Sequence, residues 1–133
     1  MKDSRDTGSM AVEIVILVPV LVMIMVLVVA FGRYVTAEGD IQALSREAVR
    51  AATLERDQVS ARAAAQAAAT AMTPDTLDCD PVTVSGAFQP GGTVTVGVDC
   101  QVSWANLGLI GLTGSAGVHA DSTAPLDTYR RMD

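Results

Sequence analysis

The sequence predicts an α+β fold, in which a long amino-terminal helix, transmembrane at first and amphipathic further on, precedes a small antiparallel β domain with one disulfide. Three observations predict it. Residues 14–31 are apolar throughout, residues 40–72 keep helical spacing, and valines alternate with polar residues from position 82 onward. A chain of 133 residues leaves room for only one small soluble domain beside such a helix, so we expect no large active-site cleft.

The apolar stretch has the length of one membrane span. Its 18 residues, 14–31, rise by about 27 Å as an α-helix. Pro19 lies in the second turn, where it removes one backbone hydrogen bond and can kink the helix. We therefore assign residues 1–8 to a polar leader and residues 9–33 to a transmembrane helix.

Residues 34–73 are predicted to form an exposed, alanine-rich helix. Helical spacing is kept by the apolar residues Ile41, Leu44, Ala48, Ala51 and Ala52. Thr73 and Pro74 end the pattern. Because Gly32 and Gly39 loosen the chain at the membrane surface, we expect two helices separated there and not one continuous rod.

Residues 74–133 are predicted to form the β domain. Alternation at Val82 and Val84, and again over residues 94–102, predicts two half-buried strands joined by a turn at residues 90–92. A third strand is expected over residues 117–123, ended by Pro125. Between the second and third strands, a loop is expected to cover one face of the sheet with Leu107, Leu109, Ile110 and Leu112.

Cys79 and Cys100 are the two cysteines of the chain, and both lie beyond the span. An antiparallel hairpin brings them together, and a disulfide closing about 20 residues stabilises a small domain by about 3 kcal/mol. Two unpaired buried thiols are the alternative. Since disulfides persist outside the cytoplasm, we place the amino terminus inside the cell and the β domain outside.

Charge and residue pattern exclude several functions. The net charge is −6, and the acidity concentrates at the distal end, which argues against nucleic acid as a partner and against electrostatic docking on anionic lipid. His119 and Asp121 supply two ligands, too few for a metal site. The spacing of the aspartates at 75, 78 and 80 lacks the glycine and the terminal glutamate of an EF-hand. We predict no catalytic residue, no cofactor and no enzyme activity.

Glu13 is the unusual residue of the apolar segment. A charged side chain in a transmembrane helix costs about 2.5–3.5 kcal/mol at the bilayer centre and less near the end. A positive partner would offset that cost. An ordinary anchor with Glu13 at the interface is the alternative.

The amino-terminal residues carry a family resemblance. Gly8 before Ser9, with Glu13 as the fifth residue counted from Ser9, resembles class III type IV prepilins. The wider pattern resembles the TadE-like family of tight-adherence (Flp) pilus assembly proteins, in the residues Gly8, Ser9, Ala11, Val12, Glu13, Pro19, Phe31, Gly32 and Arg33. The distal residues resemble actinobacterial members, in the 90–92 turn, the two cysteines, and Ala124, Pro125, Leu126, Asp127, Tyr129 and Arg130.

This resemblance implies a function without catalysis. A membrane prepilin peptidase would cut between Gly8 and Ser9, and Glu13 would meet the new amine of Ser9 or of a neighbouring chain. The implied partners are membrane lipid, that peptidase, other pilins and minor pilins, and the inner-membrane pilus platform. The implied location is the bacterial cell membrane, crossed once. Major Flp pilins have Tyr where this chain has Ile14, and they lack a distal domain of this size, so the pattern favours a minor pilin or pseudopilin.

Two other interpretations of the apolar segment fit the same residues. A generic single-span module with an extracytoplasmic binding domain would keep its leader and tolerate replacement of Glu13. A secretory signal peptide would use small residues such as Ala30 and Gly32 for cleavage, although its apolar core should span only about 7–15 residues.

Overall fold

The computed structural model describes residues 4–129, with side chains described from residue 8 onward; of the predicted leader, residues 1–3 lie outside the described residues. Helix α1 runs without interruption over Ser4–Leu54. The predicted break near Gly32 and Gly39 is therefore wrong. A glycine costs a helix about 1 kcal/mol relative to alanine, which packing of the adjoining turns against the domain can outweigh. The hydroxyl of Thr36 also donates to the Gly32 carbonyl at 3.0 Å.

The helix break lies later, at residues 55–57, and helix α2 follows over Gln58–Met72. Asp57 ends the break as the N-cap of α2: its backbone is extended, with φ −134° and ψ 163°, and its carboxylate accepts from the Ser60 amide at 2.9 Å. Helix α2 folds back on α1 and buries one alanine stripe, formed by Ala61, Ala65 and Ala69. The segment 34–73 is thus two packed helices with a buried face, and not one exposed helix.

Four antiparallel strands form one sheet: β1 over Leu77–Cys79, β2 over Thr83–Gly86, β3 over Thr93–Ser103 and β4 over Ser115–Pro125. Strand β3 is central. It pairs with β1 and β2 along one edge and with the whole length of β4 along the other. The predicted hairpin with its turn at residues 90–92 is confirmed as β2 and β3, and the third strand is confirmed as β4. Strand β1 was not predicted, because three residues are too few for an alternation to show.

The core lies between one face of the sheet and the two helices. Side chains of β3 alternate, and those of Val94, Val96 and Val98 are fully buried beneath the helices. From the helical side, Ile41 and Leu44 are buried to the same degree. The α+β fold class is confirmed. The loop between β3 and β4 covers the core only in part, because Leu107 is buried and Leu109 packs on the core, whereas Ile110 and Leu112 are exposed.

Candidate membrane and assembly segment

The amino-terminal half of α1 has no partner in the described part of the molecule. Every side chain over residues 8–29 is exposed, and the large apolar ones keep between 38% and 72% of their surface accessible. The most apolar 18-residue window has a mean hydropathy of 3.4 and is 6% buried. A core helix of a soluble domain would be covered instead. At 1.5 Å per residue, residues 8–29 extend about 33 Å, enough to cross the hydrocarbon of a bilayer.

Ser9 and Glu13 lie on the same face of this exposed helix, because four residues make about one turn, a rise of about 6 Å. Glu13 is exposed, and within residues 8–129 no cationic side chain lies at ion-pair distance from its carboxylate.

The Gly8–Ser9 peptide lies in the second turn of α1. An added Cβ at Gly8 would meet no described atom within 4 Å, so the surroundings of this bond are open. Pro19 lies inside the helix, which continues through it. The missing N–H at Pro19 leaves the Val15 carbonyl without its usual helical donor, a vacancy that a packed neighbour can accommodate.

The folded domain begins where the apolar stretch ends. Ala30 is the first buried residue of α1 that the structure describes, and Tyr34 packs against the core one turn later. Arg33 donates from Nη1 to the Asn106 carbonyl at 3.0 Å, which ties the helix to the β3–β4 loop. No sequence pattern indicates this contact, because the two residues lie 73 positions apart.

The disulfide is present as predicted, between Cys79 and Cys100. These residues stand directly opposite each other in the antiparallel pairing of β1 with β3, and Cys100 is 2% exposed. The bond thus attaches the three-residue strand β1 to the centre of the sheet. Neither cysteine is free to act as a thiol.

His119 lies on the solvent face of the sheet between two carboxylates. Its Nε2 is 3.0 Å from Asp121 Oδ1, and its Nδ1 is 2.6 Å from Asp99 Oδ1. These hydrogen bonds, first that to Asp121 and then that to Asp99, raise the pKa of His119 above its usual value. Asp121 lies two residues from His119 on the same strand. The sequence does not reveal Asp99 as the second partner, because its place opposite His119 depends on the register between β3 and β4. Among residues 8–129, no group of three or more His, Cys, Asp or Glu side chains is arranged to hold a metal ion.

Comparison with known proteins adds one finding. Residues 8–50 match the family model described as TadE-like protein. No curated protein and no solved structure matches the chain significantly. The matched region includes Gly8, Ser9, Glu13, Pro19 and the helical core residues up to Arg50, and it ends before α2 and the sheet. Over residues 8–50, most of helix α1, the chain is thus similar to TadE-like proteins.

Proposed function

We propose that this protein is a non-catalytic, pilin-like membrane protein that takes part in assembly of a tight-adherence (type IVb, Flp) pilus. One observation carries the proposal. The TadE-like helix is exposed and mostly apolar over an axial length of about 33 Å. It places Glu13 one turn from Ser9, and Glu13 has no cationic partner among the described side chains. Apolar side chains in that number need either lipid or other helices around them.

Processing after Gly8 supplies the missing charge. A prepilin peptidase that cuts between Gly8 and Ser9 leaves a positive amine on Ser9, at the start of the shortened helix. That amine, together with the positive end of the helix dipole, offsets the cost of keeping the Glu13 carboxylate in the membrane. When the amine belongs to a neighbouring chain, the same pairing fixes how far one span is shifted along the other.

Assembly then proceeds by packing. The exposed side chains over residues 14–29 are mostly Val, Leu, Ile and Met, which offer van der Waals contact to lipid, to the spans of other pilins and minor pilins, and to the inner-membrane pilus platform. The amino terminus lies in the cytoplasm and the β domain outside the cell membrane. The Cys79–Cys100 bond supports this orientation, because disulfides persist on the oxidising side.

The test is the mass of the protein purified from membranes of cells with and without the peptidase. We expect an amino terminus at Ser9 only when the peptidase is present, and at Met1 in a Gly8→Leu variant. An uncut chain in cells that contain an active peptidase contradicts processing.

Charge pairing is tested with Glu13→Gln, which keeps the shape of the side chain and removes its charge. Glu38→Gln is the matched control, since Glu38 is exposed on the same helix beyond the apolar stretch. We expect both variants to insert in the membrane, but only Glu13→Gln to lose co-purification with pilus components. If the leader is kept and Glu13→Gln still assembles, the protein is a generic membrane-anchored binding module.

A further inference from the structure

The β3–β4 loop, residues 104–114, lies at the end of the domain nearest the apolar half of α1. The Arg33 guanidinium donates to the Asn106 carbonyl at 3.0 Å, and its Nη1 lies 3.7 Å from the position of a Cβ at Gly108. Arg33 is two residues beyond Phe31, the last residue of the apolar stretch, which is about 3 Å along the helix axis. The loop is therefore held level with the end of the span.

This loop exposes apolar side chains at that level. Ile110 is 90% exposed, Leu112 51% and Trp104 37%, while Leu107 and Leu109 attach the loop to the core. From residue 100 to residue 118 the sequence contains no charged side chain. Exposed apolar side chains grouped at one place, without charges between them, indicate a contact surface more than an ordinary solvated loop.

The loop backbone satisfies several of its own polar groups. The Trp104 amide donates to the Gly114 carbonyl at 3.1 Å, and the Leu109 amide donates to the Trp104 carbonyl at 3.0 Å. The Leu112 amide donates to the Leu109 carbonyl at 3.3 Å. Positive φ angles of 93°, 96° and 116° at the three glycines 108, 111 and 114 make these tight turns possible. Amides paired in this way lose little when water is removed from around them.

We propose that the β3–β4 loop inserts into the interfacial layer of the membrane that α1 spans, so that the domain is seated on the bilayer at two points. The proposal depends on the anchoring of α1 proposed above. The interfacial layer is about 5–7 Å deep on each side of the hydrocarbon, and Arg33 lies within that depth. Tryptophan is enriched in this layer, which suits Trp104 at the base of the loop. Lipid is favoured over a protein partner because the loop is tied to Arg33, and the span places Arg33 at the interfacial layer.

Insertion of the loop also determines which end of the domain faces the membrane. The carboxyl end of β3 and the amino end of β4 adjoin the loop, so this end of the sheet lies toward the lipid. The β2–β3 turn lies at the other end of β3 and points away. The turn and the distal half of the domain are then the parts that stay accessible to other envelope proteins.

Trp104 is the single tryptophan of the chain and reports the position of the loop directly. The experiment uses the full chain reconstituted in phosphatidylcholine and phosphatidylglycerol vesicles that contain lipids brominated near the carbonyl or near the methyl end of the acyl chain. We expect Trp104 emission to shift to shorter wavelength and to be quenched more strongly by the shallow bromines. Vesicle flotation of the same samples measures anchoring independently.

Variants separate the loop from the span. Ile110→Ser combined with Leu112→Ser should abolish the quenching and leave flotation intact. Val59→Ser is the control: Val59 is 81% exposed on α2, outside the loop, and its replacement should change neither readout. Protein that floats with Trp104 unquenched by either lipid overturns the loop proposal and leaves anchoring standing. The loop proposal is also overturned if Trp104 becomes shielded from solvent only when a pilus component is added. Protein that fails to float overturns the anchoring and the loop insertion together.

Discussion

Loss of the disulfide should cost the β domain much of its stability. The bond joins Cys79 to Cys100, 21 positions apart, and in the chain-entropy model a closed loop of that length contributes about 3.3 kcal/mol at 25 °C. Small domains have about 5–15 kcal/mol in total. Strand β1 contains three residues and depends on this attachment, so we expect it to detach first when the bond is absent.

The double variant Cys79→Ala with Cys100→Ala removes the bond, and reduction of the unchanged protein removes it without leaving a cavity. We expect urea midpoints lower by about 1–3 M in both cases, given about 1–3 kcal/mol per molar of urea for small proteins. Pulse proteolysis of the full chain in mild detergent measures this midpoint without interference from the apolar half of α1. Asp78→Ala, an exposed change in the same strand, is the control and should shift the midpoint little. A loss below about 1 kcal/mol in the reduced protein would refute the reasoning, since loop closure in the unfolded chain would then not be the source of stability.

Three further outcomes are expected, each with its own measurement. His119→Gln should lower stability below pH about 6.5, because protonated His119 pairs with its two flanking aspartates. Its effect should fade as the pH rises through the raised pKa that His119 has in the folded protein. Proton NMR of this single histidine gives that pKa directly. Asp57→Ala should destabilise α2 at pH 7 more than Asp57→Asn does. The hydrogen bonds from Ser60 lower the pKa of Asp57. The difference in α2 stability between the unchanged protein and Asp57→Asn should therefore vanish as the pH falls below 3.8 and through that lowered pKa, which amide hydrogen exchange in α2 measures. Leu44→Ala should cost about 2–5 kcal/mol in urea unfolding, since Leu44 is 1% exposed between α1 and the sheet.

Sequence patterns predicted the features that depend on neighbouring residues. The exposed apolar part of α1, the β2–β3 hairpin and the disulfide follow from an apolar run, a period-two alternation with a Pro-Gly-Gly turn, and two cysteines placed at matching strand ends. Each of these signals is contained within about 20 residues. The position of Asp99 opposite His119 and the contact of Arg33 with Asn106 are set by strand register and by packing between distant segments, which no local pattern encodes.

The helix break shows how two local signals compete. Gly32 and Gly39 weaken α1, yet the helix continues, because Ala37 and Ile41 are buried close by and their packing outweighs the entropy that glycine costs. The break follows a better-defined chemical signal, in which Asp57 caps the first turn of α2 through Ser60. Reading that N-cap in the sequence would have placed the break correctly.

The unbroken α1 gives the two proposed membrane contacts a fixed relation. Glu13 and Arg33 are 20 residues apart on one helix, which is about 30 Å along its axis and close to the thickness of the hydrocarbon core. If α1 spans the membrane as proposed, each of these two charges lies near its own face of the bilayer. The proposed Ser9 amine then lies beside Glu13, and the β3–β4 loop is tied to Arg33. Because no hinge separates them, any shift of Glu13 toward a neighbouring amine moves Arg33, the loop and the sheet by the same axial distance. In the proposed arrangement, the depth of Trp104 in the membrane is therefore also a measure of where Glu13 lies.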